Sequence, residues 1–319
     1  MKTIKNKLLL LLFTVAFFSC DDILEEDITN DMITATYPVN NEVIESNVVN
    51  FQWNRLDGAD DYRVQIFSTS QNMILDSLVS TNSFVYNLNP GNYQWRVRGE
   101  NFAYQTAYTF PFSFSMVETD DLTNQVVQLI SPSEGIYTQI ITPVFTWSNI
   151  NAADYYELEL VNVTNGNQII HQESDIDDTS YSLNSGIITL DAQYKWRIKA
   201  VNSETESNFS ERTFYIDRTA PNQPQNISPQ NEASVTVNNP VDFEWSISDD
   251  SGAVTSPITY VIEIATNQNF SSIIETSGTS TPDYQYTFTA TGNYYWRIKA
   301  TDLAGNTSAN SSYFKITAE

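Results

Sequence analysis

The sequence predicts an all-β protein made of three tandem β-sandwich domains, because two tryptophan motifs each occur three times. The first is a Tyr-x-Trp segment at residues 93–98, 194–199 and 294–299, in which apolar and basic residues alternate. The second is a Phe-x-Trp segment that lies upstream each time. The two motifs contain all six tryptophans of the chain: Trp53, Trp95, Trp147, Trp196, Trp245 and Trp296. Alternation with a period of two is typical of a half-buried strand. A 319-residue chain divides well into three domains of ordinary size.

Other segments of each repeat also alternate. Between the two motifs lies a strand that begins with tyrosine, at residues 62–66, 156–160 and 260–264. Each repeat closes with an aromatic segment, at residues 110–114, 214–216 and 313–316. Clusters of Asn, Gly, Pro and Ser separate these runs, and no window has a convincing helical period. Short strands with frequent turns favour a sandwich in every repeat.

The repeats resemble fibronectin type III domains, which belong to the immunoglobulin-like class of β-sandwiches. The resemblance depends on the tryptophan of an early strand and on the Leu-Asn-Pro-Gly-Asn-Tyr segment at residues 88–93. It implies that Tyr93, Tyr194 and Tyr294 each form a tyrosine corner, in which the hydroxyl bonds to nearby backbone. With the six tryptophans, these tyrosines are the predicted structural core. The predicted domains are residues 34–117, 127–217 and 225–319, with linkers at 118–126 and 218–224.

The first 19 residues have the pattern of a secretory signal. Lys2, Lys5 and Lys7 precede an apolar run at residues 8–18, which is too short to span a bilayer. Cys20 follows at once and is the only cysteine in the chain. The segment resembles the lipobox of bacterial lipoproteins, which implies lipidation of Cys20 and attachment to a membrane. A plain signal peptide with an incidental cysteine is the alternative.

The chain is strongly acidic, with 15 Lys and Arg against 39 Asp and Glu. Removal of the signal takes away three lysines and gives a net charge of −27. This charge excludes nucleic acid as a partner. Residues 20–33 form an acidic tether that resembles the export signal of surface lipoproteins in some Gram-negative bacteria. We therefore expect an outer-membrane or cell-surface location. A self-repelling, solvated tether is the simpler interpretation.

Catalytic residue types are scarce, so we expect no enzyme. His171 is the only histidine, and no motif accompanies it. There is no phosphate-binding glycine loop and no zinc-ligand spacing. Two acidic loops place several oxygen ligands close together, as calcium requires. They contain Asp175, Asp177, Asp178, Asp249 and Asp250. Simple solvation of these loops is the alternative, and no other cofactor is expected.

Seven of the 12 basic residues that remain lie on the outward face of the Tyr-x-Trp strands: Arg96, Arg98, Lys195, Arg197, Lys199, Arg297 and Lys299. In a fibronectin-type sandwich the adjacent strand is the one that begins with tyrosine. In the second and third repeats it turns Glu157, Glu159 and Glu263 outward, which predicts ion pairs across the strands.

The first repeat lacks these acidic partners and turns Arg63 and Gln65 outward instead. We therefore predict a candidate ligand-contact surface formed by Arg63, Arg96, Arg98, Phe102 and Tyr104. The alternative is that Asp60, Asp61 and Glu100 neutralise this surface locally and that the two aromatic residues close the end of the core.

Two functions fit these features. The first is a non-enzymatic, lipid-anchored envelope protein whose sandwiches bind a protein or glycan, or mediate adhesion. The second is a rigid spacer or assembly subunit of an outer-membrane complex. A glycan-binding accessory of carbohydrate-active enzymes is a special case of the first.

Overall fold

The computed structural model describes residues 25–319, so the predicted signal and Cys20 lie outside the described part. Strands and turns make up the regular structure of these residues. Within them, no helix is long and apolar enough to cross a membrane. The strands form six sheets that fall into three similar pairs, one pair for each predicted repeat. The all-β prediction and the threefold repetition are therefore confirmed.

The first sandwich contains eight strands: β1 (Ala35–Tyr37), β2 (Glu42–Ile44), β3 (Val48–Trp53), β4 (Asp61–Ser68), β5 (Met73–Val79), β6 (Ser83–Asn87), β7 (Gly91–Glu100) and β8 (Phe112–Met116). Its smaller sheet has the order β1-β3-β6 and its larger sheet the order β2-β8-β7-β4-β5. Because β3 and β4 follow one another in the chain but lie in different sheets, the two sheets are layers of one sandwich.

The second sandwich repeats this plan with β9 (Leu129–Ser131), β10 (Ile136–Thr138), β11 (Val144–Trp147), β12 (Tyr155–Asn162), β13 (Gln168–Ile176), β14 (Ser180–Ser182), β15 (Ala192–Val201) and β16 (Ser210–Ile216). The sheet orders are β14-β11-β9 and β10-β16-β15-β12-β13.

The third sandwich contains β17 (Asn226–Ser228), β18 (Ala233–Val235), β19 (Pro240–Trp245), β20 (Ile258–Ala265), β21 (Ile273–Thr279), β22 (Asp283–Thr287), β23 (Gly292–Asp302) and β24 (Phe314–Ala318). Its sheets are β17-β19-β22 and β18-β24-β23-β20-β21. The first sandwich forms one compact unit of the chain, and the second and third together form another.

The two tryptophan motifs face each other across each sandwich, one from the smaller sheet and one from the larger. The phenylalanine of the Phe-x-Trp strand contacts the tryptophan of the Tyr-x-Trp strand, with ring centroids 5.0 Å apart for Phe51 and Trp95. The same pair recurs as Phe145 with Trp196 at 5.0 Å and as Phe243 with Trp296 at 5.1 Å. The inward side chains of both motifs are buried except that of Tyr93, which is half-buried, so the alternation of the sequence identifies the face that forms the core.

All three tyrosine corners form as the resemblance implies. The hydroxyls of Tyr93, Tyr194 and Tyr294 donate to the backbone carbonyl four residues earlier, at 2.8, 2.9 and 3.0 Å. The approach loop of the second repeat, which is longer than the others, keeps the same bond. The corner therefore depends on the tyrosine and the strand, and not on the Pro-Gly sequence before it.

The packed part of the chain extends into segments that were predicted to be tether or linker. Ile28 is fully buried and Ile33 is 7% exposed, and both pack in the core of the first sandwich. Leu122, inside the predicted linker 118–126, is fully buried in the core of the second. One or two apolar residues are enough to attach each acidic segment to a sandwich, because their side chains pack in its core. The final strand of the first repeat begins at Phe112, two residues later than expected, and leaves Phe110 87% exposed.

Candidate functional site: an aromatic loop and a basic face on the first sandwich

The predicted cross-strand ion pairs of the second and third sandwiches are confirmed. Glu159 lies opposite Arg197 with a contact of 2.5 Å, and Glu263 lies opposite Arg297 with a contact of 2.6 Å. Glu157 lies opposite Lys199 at 3.1 Å. Arg197, Lys199 and Arg297 of the basic row therefore have a structural role, whereas Lys299 lies opposite Val261 and forms none of the ion pairs within residues 25–319.

The first sandwich places its basic residues as predicted, with Arg63 opposite Arg98 and Gln65 opposite Arg96. The carboxylates that pair with these arginines do not come from the outward positions of β4, although they come from the equivalent strand in the other two sandwiches. Glu100 accepts from Arg63 at 2.7 Å and contacts Arg98 at 2.7 Å. Two of the three basic residues are thus neutralised from their own sheet.

Asp76 on the edge strand β5 completes this network. It contacts Arg63 at 3.0 Å and accepts from the Gln65 amide at 2.7 Å. The carboxyls of Asp76 and Glu100 are both partly buried, which opposes ionisation, but the hydrogen bonds and arginine charges outweigh burial and lower the pKa of each. Of the three carboxylates named for local neutralisation, Glu100 pairs with Arg63 and Arg98. Asp60 and Asp61 form none of the ion pairs within residues 25–319, and Asp76 is an additional partner.

Arg96 is held differently. Its guanidinium donates twice to the Gln65 carbonyl oxygen, at 2.9 and 2.7 Å. It also lies over the rings of Phe67 and Tyr108, 5.1 and 4.2 Å from their centroids. Within residues 25–319 no carboxylate forms an ion pair with it. This positive charge is positioned by neutral groups and stays available.

The loop after β7 presents two aromatic rings to solvent. Phe102 is 93% exposed and Tyr104 is 38% exposed, so neither closes the end of the core. The loop itself is fixed, because Asn101 Oδ1 accepts from the amides of Ala103 and Tyr104 at 3.2 and 2.7 Å. The Asn101 amide donates to the carbonyl of Gly58 at 2.8 Å. A rigid loop with exposed rings is a preorganised contact surface.

The second sandwich has the same loop without the rings. Asn202 Oδ1 accepts from the amides of Glu204 and Thr205 at 3.0 and 2.8 Å, as Asn101 does in the first sandwich. Ser203 therefore occupies the place of Phe102, and Thr205 occupies that of Tyr104. Because an identical loop forms with polar residues, the fold does not require the aromatic side chains of the first sandwich.

The aspartates of the two acidic loops differ in their exposure and in their neighbours. Asp175, Asp177 and Asp178 are exposed, as is Asp249. Within residues 25–319, one group of three acidic side chains places one oxygen from each within 4.8 Å of the others, and it consists of Asp217, Asp250 and Asp302. Only Asp250 belongs to the predicted set. The sequence pattern does not reveal Asp217 and Asp302, because Asp217 follows one strand and Asp302 ends another strand 85 residues later.

The environment of Asp217 is unusual for a carboxyl group. The residue is fully buried, and burial together with the charges of Asp250 and Asp302 raises its pKa above the ordinary value. Arg218, the adjacent residue, contacts Asp191 instead, at 2.5 Å.

His171 lies on the edge strand β13 with its side chain 15% exposed. Its Nε2 is 2.9 Å from the hydroxyl of Tyr181, which donates to Glu173 at 3.0 Å. Burial and Glu173 raise the pKa of Tyr181 to about 12. The imidazole packs nearly parallel to the Tyr181 ring, so its contacts are those of a structural residue.

The third sandwich carries an aromatic and basic groove that the sequence analysis missed. Phe270, Tyr295, Arg297 and Tyr313 line it, and the Arg297 guanidinium lies 4.0 Å from the centroid of the Phe270 ring. Phe270 comes from the turn after β20, far in sequence from the strand that carries Arg297. Only the paired strands bring the two together.

No family model and no curated protein matches the chain. Among solved structures, the FN1–FN3 domains of chicken CNTN1 are 14% identical, with 90% of this chain and 98% of that chain covered and a TM-score of 0.46. The fibronectin(III)-like modules of Clostridium thermocellum CbhA are also 14% identical, with 61% and 94% covered and a TM-score of 0.39. A two-domain fibronectin type III segment of chicken tenascin is 15% identical, with 58% and 97% covered and a TM-score of 0.23. In this chain the paired sheets and three tyrosine corners decide the fold. Each repeat is a fibronectin type III-like sandwich.

Proposed function

We propose that this chain is a non-enzymatic lipoprotein of a Gram-negative outer membrane and that its first sandwich binds an extracellular ligand. The observation that carries the proposal is the exposure of Phe102 on a loop that the second sandwich builds without an aromatic residue. Exposing a phenylalanine costs solubility and contributes nothing to the core, so contact with a ligand is the best reason for it.

A protein is the ligand that these groups fit best. Aromatic side chains and arginine are the residues that contribute most to protein interfaces, and here Phe102 and Tyr104 belong to the same sandwich as Arg96. The fixed backbone of the loop lowers the entropy lost on binding. The acidic remainder of the chain favours a partner surface with basic and apolar groups.

The binding test replaces the two rings with the residues of the second sandwich. The full lipidated protein carrying F102S and Y104T is compared with the unaltered protein in a pull-down from cell-surface extracts and on a glycan array. We expect at least a tenfold loss of binding, since truncation of an interface anchor costs about 2 kcal/mol or more. The matched control is L303S, which removes the exposed side chain at the corresponding loop of the third sandwich.

The thermal unfolding of the F102S/Y104T variant should stay close to that of the unaltered protein, because Phe102 is 93% exposed and Tyr104, at 38% exposed, is not part of the core of the first sandwich. Unchanged binding to every captured protein by this folded variant would refute the contact surface. Loss of glycan binding alone would mean that the ligand is a carbohydrate, and the protein-ligand proposal would then be wrong.

The anchoring proposal is supported by residues 1–20 and is tested separately. In C20A the lipidation site is absent, so the protein should leave the membrane fraction and appear in the soluble fraction. Protease treatment of intact cells then checks surface exposure. Retention of C20A in the membrane fraction would contradict a lipid anchor.

A spacer or assembly role has its own supporting observation, the ordered joint between the second and third sandwiches. Arg218 of the joint contacts Asp191, and Gln139 of the second sandwich donates to the carbonyl of Ala304 in the third at 3.2 Å. A spacer requires such a joint. If the chain is a spacer or assembly subunit, R218A and Q139A should impair assembly of the complex or shorten the distance that the chain spans, while binding by the first sandwich stays unchanged. If the chain only binds a ligand, the two substitutions should have no effect.

A further inference from the structure

The three acidic side chains Asp217, Asp250 and Asp302, here called the joint triad, meet where the second sandwich leads into the third. Asp217 directly follows β16 of the second sandwich, and Asp302 ends β23 of the third. Asp250 comes from the loop between β19 and β20. One carboxylate oxygen from each of the three residues lies within 4.8 Å of those of the other two. Asp217 is fully buried and Asp302 is 5% exposed.

One buried oxygen atom of the triad, and a buried hydroxyl beside it, have no hydrogen-bond partner. Asp217 Oδ1 accepts from the amide of Thr219 at 3.2 Å, while Asp217 Oδ2 has no partner. The hydroxyl of Ser256, itself 5% exposed, lies beside Asp217 but also lacks a hydrogen bond of good geometry. A buried carboxylate oxygen without a donor is costly, and most such atoms in proteins are satisfied.

No basic side chain compensates the triad. Within the part of the chain that the structure describes, none of its carboxylates forms an ion pair. Arg218, the nearest basic residue in the chain, contacts Asp191. Three like charges at this spacing in a largely buried place repel one another unless a cation lies between them.

The corresponding places of the other two sandwiches carry no triad. In each, the asparagine of the loop after the Tyr-x-Trp strand donates to the carbonyl of an acidic residue in the chain that enters the sandwich. Asn101 binds Glu26 and Asn202 binds Asp120, both at 2.8 Å. In the third sandwich Asn306 performs this role toward Asp217 at 3.0 Å.

The third sandwich thereby differs in two ways at one place. It has Asp302 where the other two have asparagine, and its β19–β20 loop is longer and supplies Asp250. The backbone of this loop is folded around the carboxylate, with the amides of Gly252 and Ser256 donating to Asp250 at 3.1 and 3.0 Å. Both differences add carboxylate oxygens at a place where the other two sandwiches hold the entering chain without them.

We infer that the joint triad is a calcium site that fixes the third sandwich to the second. Calcium takes six to eight oxygen ligands at about 2.3–2.6 Å, so two ligands on opposite sides of the ion are about 5 Å apart, close to the spread of the triad. Each of the three carboxylates offers one oxygen within this spread, the unpartnered Ser256 hydroxyl lies beside them, and water can complete a calcium shell. Magnesium fits less well, because its shorter bonds and retained waters suit an open site.

The test titrates calcium chloride into the full chain after chelation, with isothermal calorimetry and thermal unfolding as readouts. We expect one ion per chain and, at a hundredfold excess over Kd, an increase of roughly 10–20 °C in the Tm of the third sandwich. Hydrogen exchange at residues 217–222, 248–256 and 302–306 should slow when calcium is added. Magnesium at the same concentration should bind at least tenfold more weakly.

D217N and D302N are the diagnostic variants, and D302N has the asparagine that the other two sandwiches carry. Each should weaken calcium binding at least tenfold. D249N, next to Asp250 but exposed, and the triple variant D175N/D177N/D178N are controls that should bind calcium normally. In the presence of chelator, D217N should unfold at a temperature equal to or above that of the unaltered protein, because it removes one of three repelling charges.

That last result separates a cation site from a purely structural cluster, in which D217N would lower the Tm with or without calcium. The inference is overturned if calcium neither releases heat nor slows exchange at the joint. It is equally overturned if D217N and D302N bind calcium as well as D249N does.

Discussion

The tyrosine corners provide a quantitative test, because the same hydroxyl bond occurs in three different degrees of burial. We expect Y194F to destabilise the second sandwich more than Y93F destabilises the first. Tyr194 is 1% exposed, whereas Tyr93 is half-buried. Both variants keep the ring and remove only the hydroxyl that donates to a backbone carbonyl, at 2.9 and 2.8 Å respectively.

The expected losses of stability differ because water reaches the carbonyl of Asn89 more easily than the carbonyl of Leu190. In Y194F the carbonyl of Leu190 loses its donor in a partly buried place, which costs about 1–2 kcal/mol. In Y93F the carbonyl of Asn89 is exposed, so water replaces the hydroxyl and the cost is about 0.5 kcal/mol or less. For a domain of this size, about 1 kcal/mol lowers Tm by roughly 4–8 °C.

Hydrogen exchange of the full chain, followed by mass spectrometry, measures the two sandwiches separately. Peptides from β12 and β15 report the opening free energy of the second sandwich, and peptides from β4 and β7 report that of the first. Y294F, with Tyr294 8% exposed and a bond of 3.0 Å, should fall between the other two. Equal costs for Y93F and Y194F would refute the reasoning from burial, as would a cost below about 0.5 kcal/mol for Y194F.

Three further predictions use the same measurement. E100Q should lower the free energy of unfolding of the first sandwich by about 1–2 kcal/mol at pH 7. Because Arg63 and Arg98 lower the pKa of the Glu100 carboxyl in the folded state, this loss of stability should be complete above pH 5 and disappear as the pH falls through the folded pKa. It should be absent from an R63A/R98A background. W95F should cost about 1 kcal/mol more than W196F, since the Trp95 indole donates to the Pro38 carbonyl at 3.2 Å and the Trp196 indole has no partner; equal costs would contradict this. E263Q should cost the third sandwich about 0.2–1 kcal/mol, whereas E244Q, on an exposed position of β19, should be neutral.

The strands and their inward faces could be predicted from the sequence because they depend on a local period. Alternation at Trp95, Trp196 and Trp296 identifies the buried face, and the adjacent strand then fixes which residues lie opposite Arg197 and Arg297. The short strands β2, β10 and β18 were not predicted. They contain three residues each and pair parallel to the last strand of their sandwich, so no period can develop.

The candidate sites were harder to predict because they join residues from several loops. Phe102 is exposed, in agreement with its position outside the inward register of β7. Asp76 and Tyr108, which hold the basic face, lie on an edge strand and a loop where the pattern is weak. Asp250 was chosen for its acidic neighbours along the chain, yet the residues that it meets are 33 positions before it and 52 after it.

The end of each sandwich where the chain enters is where the three repeats differ most in chemistry. The loop that follows the Tyr-x-Trp strand holds the entering chain in all three, through Asn101, Asn202 and Asn306. Because that task is carried by one asparagine amide, its neighbours are free to vary without loss of the fold. The first sandwich uses this freedom to expose Phe102, and the third uses it to add Asp302 to a buried acidic group. The strands, which are the same in all three repeats, therefore form the scaffold. The loop after the Tyr-x-Trp strand varies, and it provides a candidate ligand contact in the first sandwich and part of a candidate calcium site in the third.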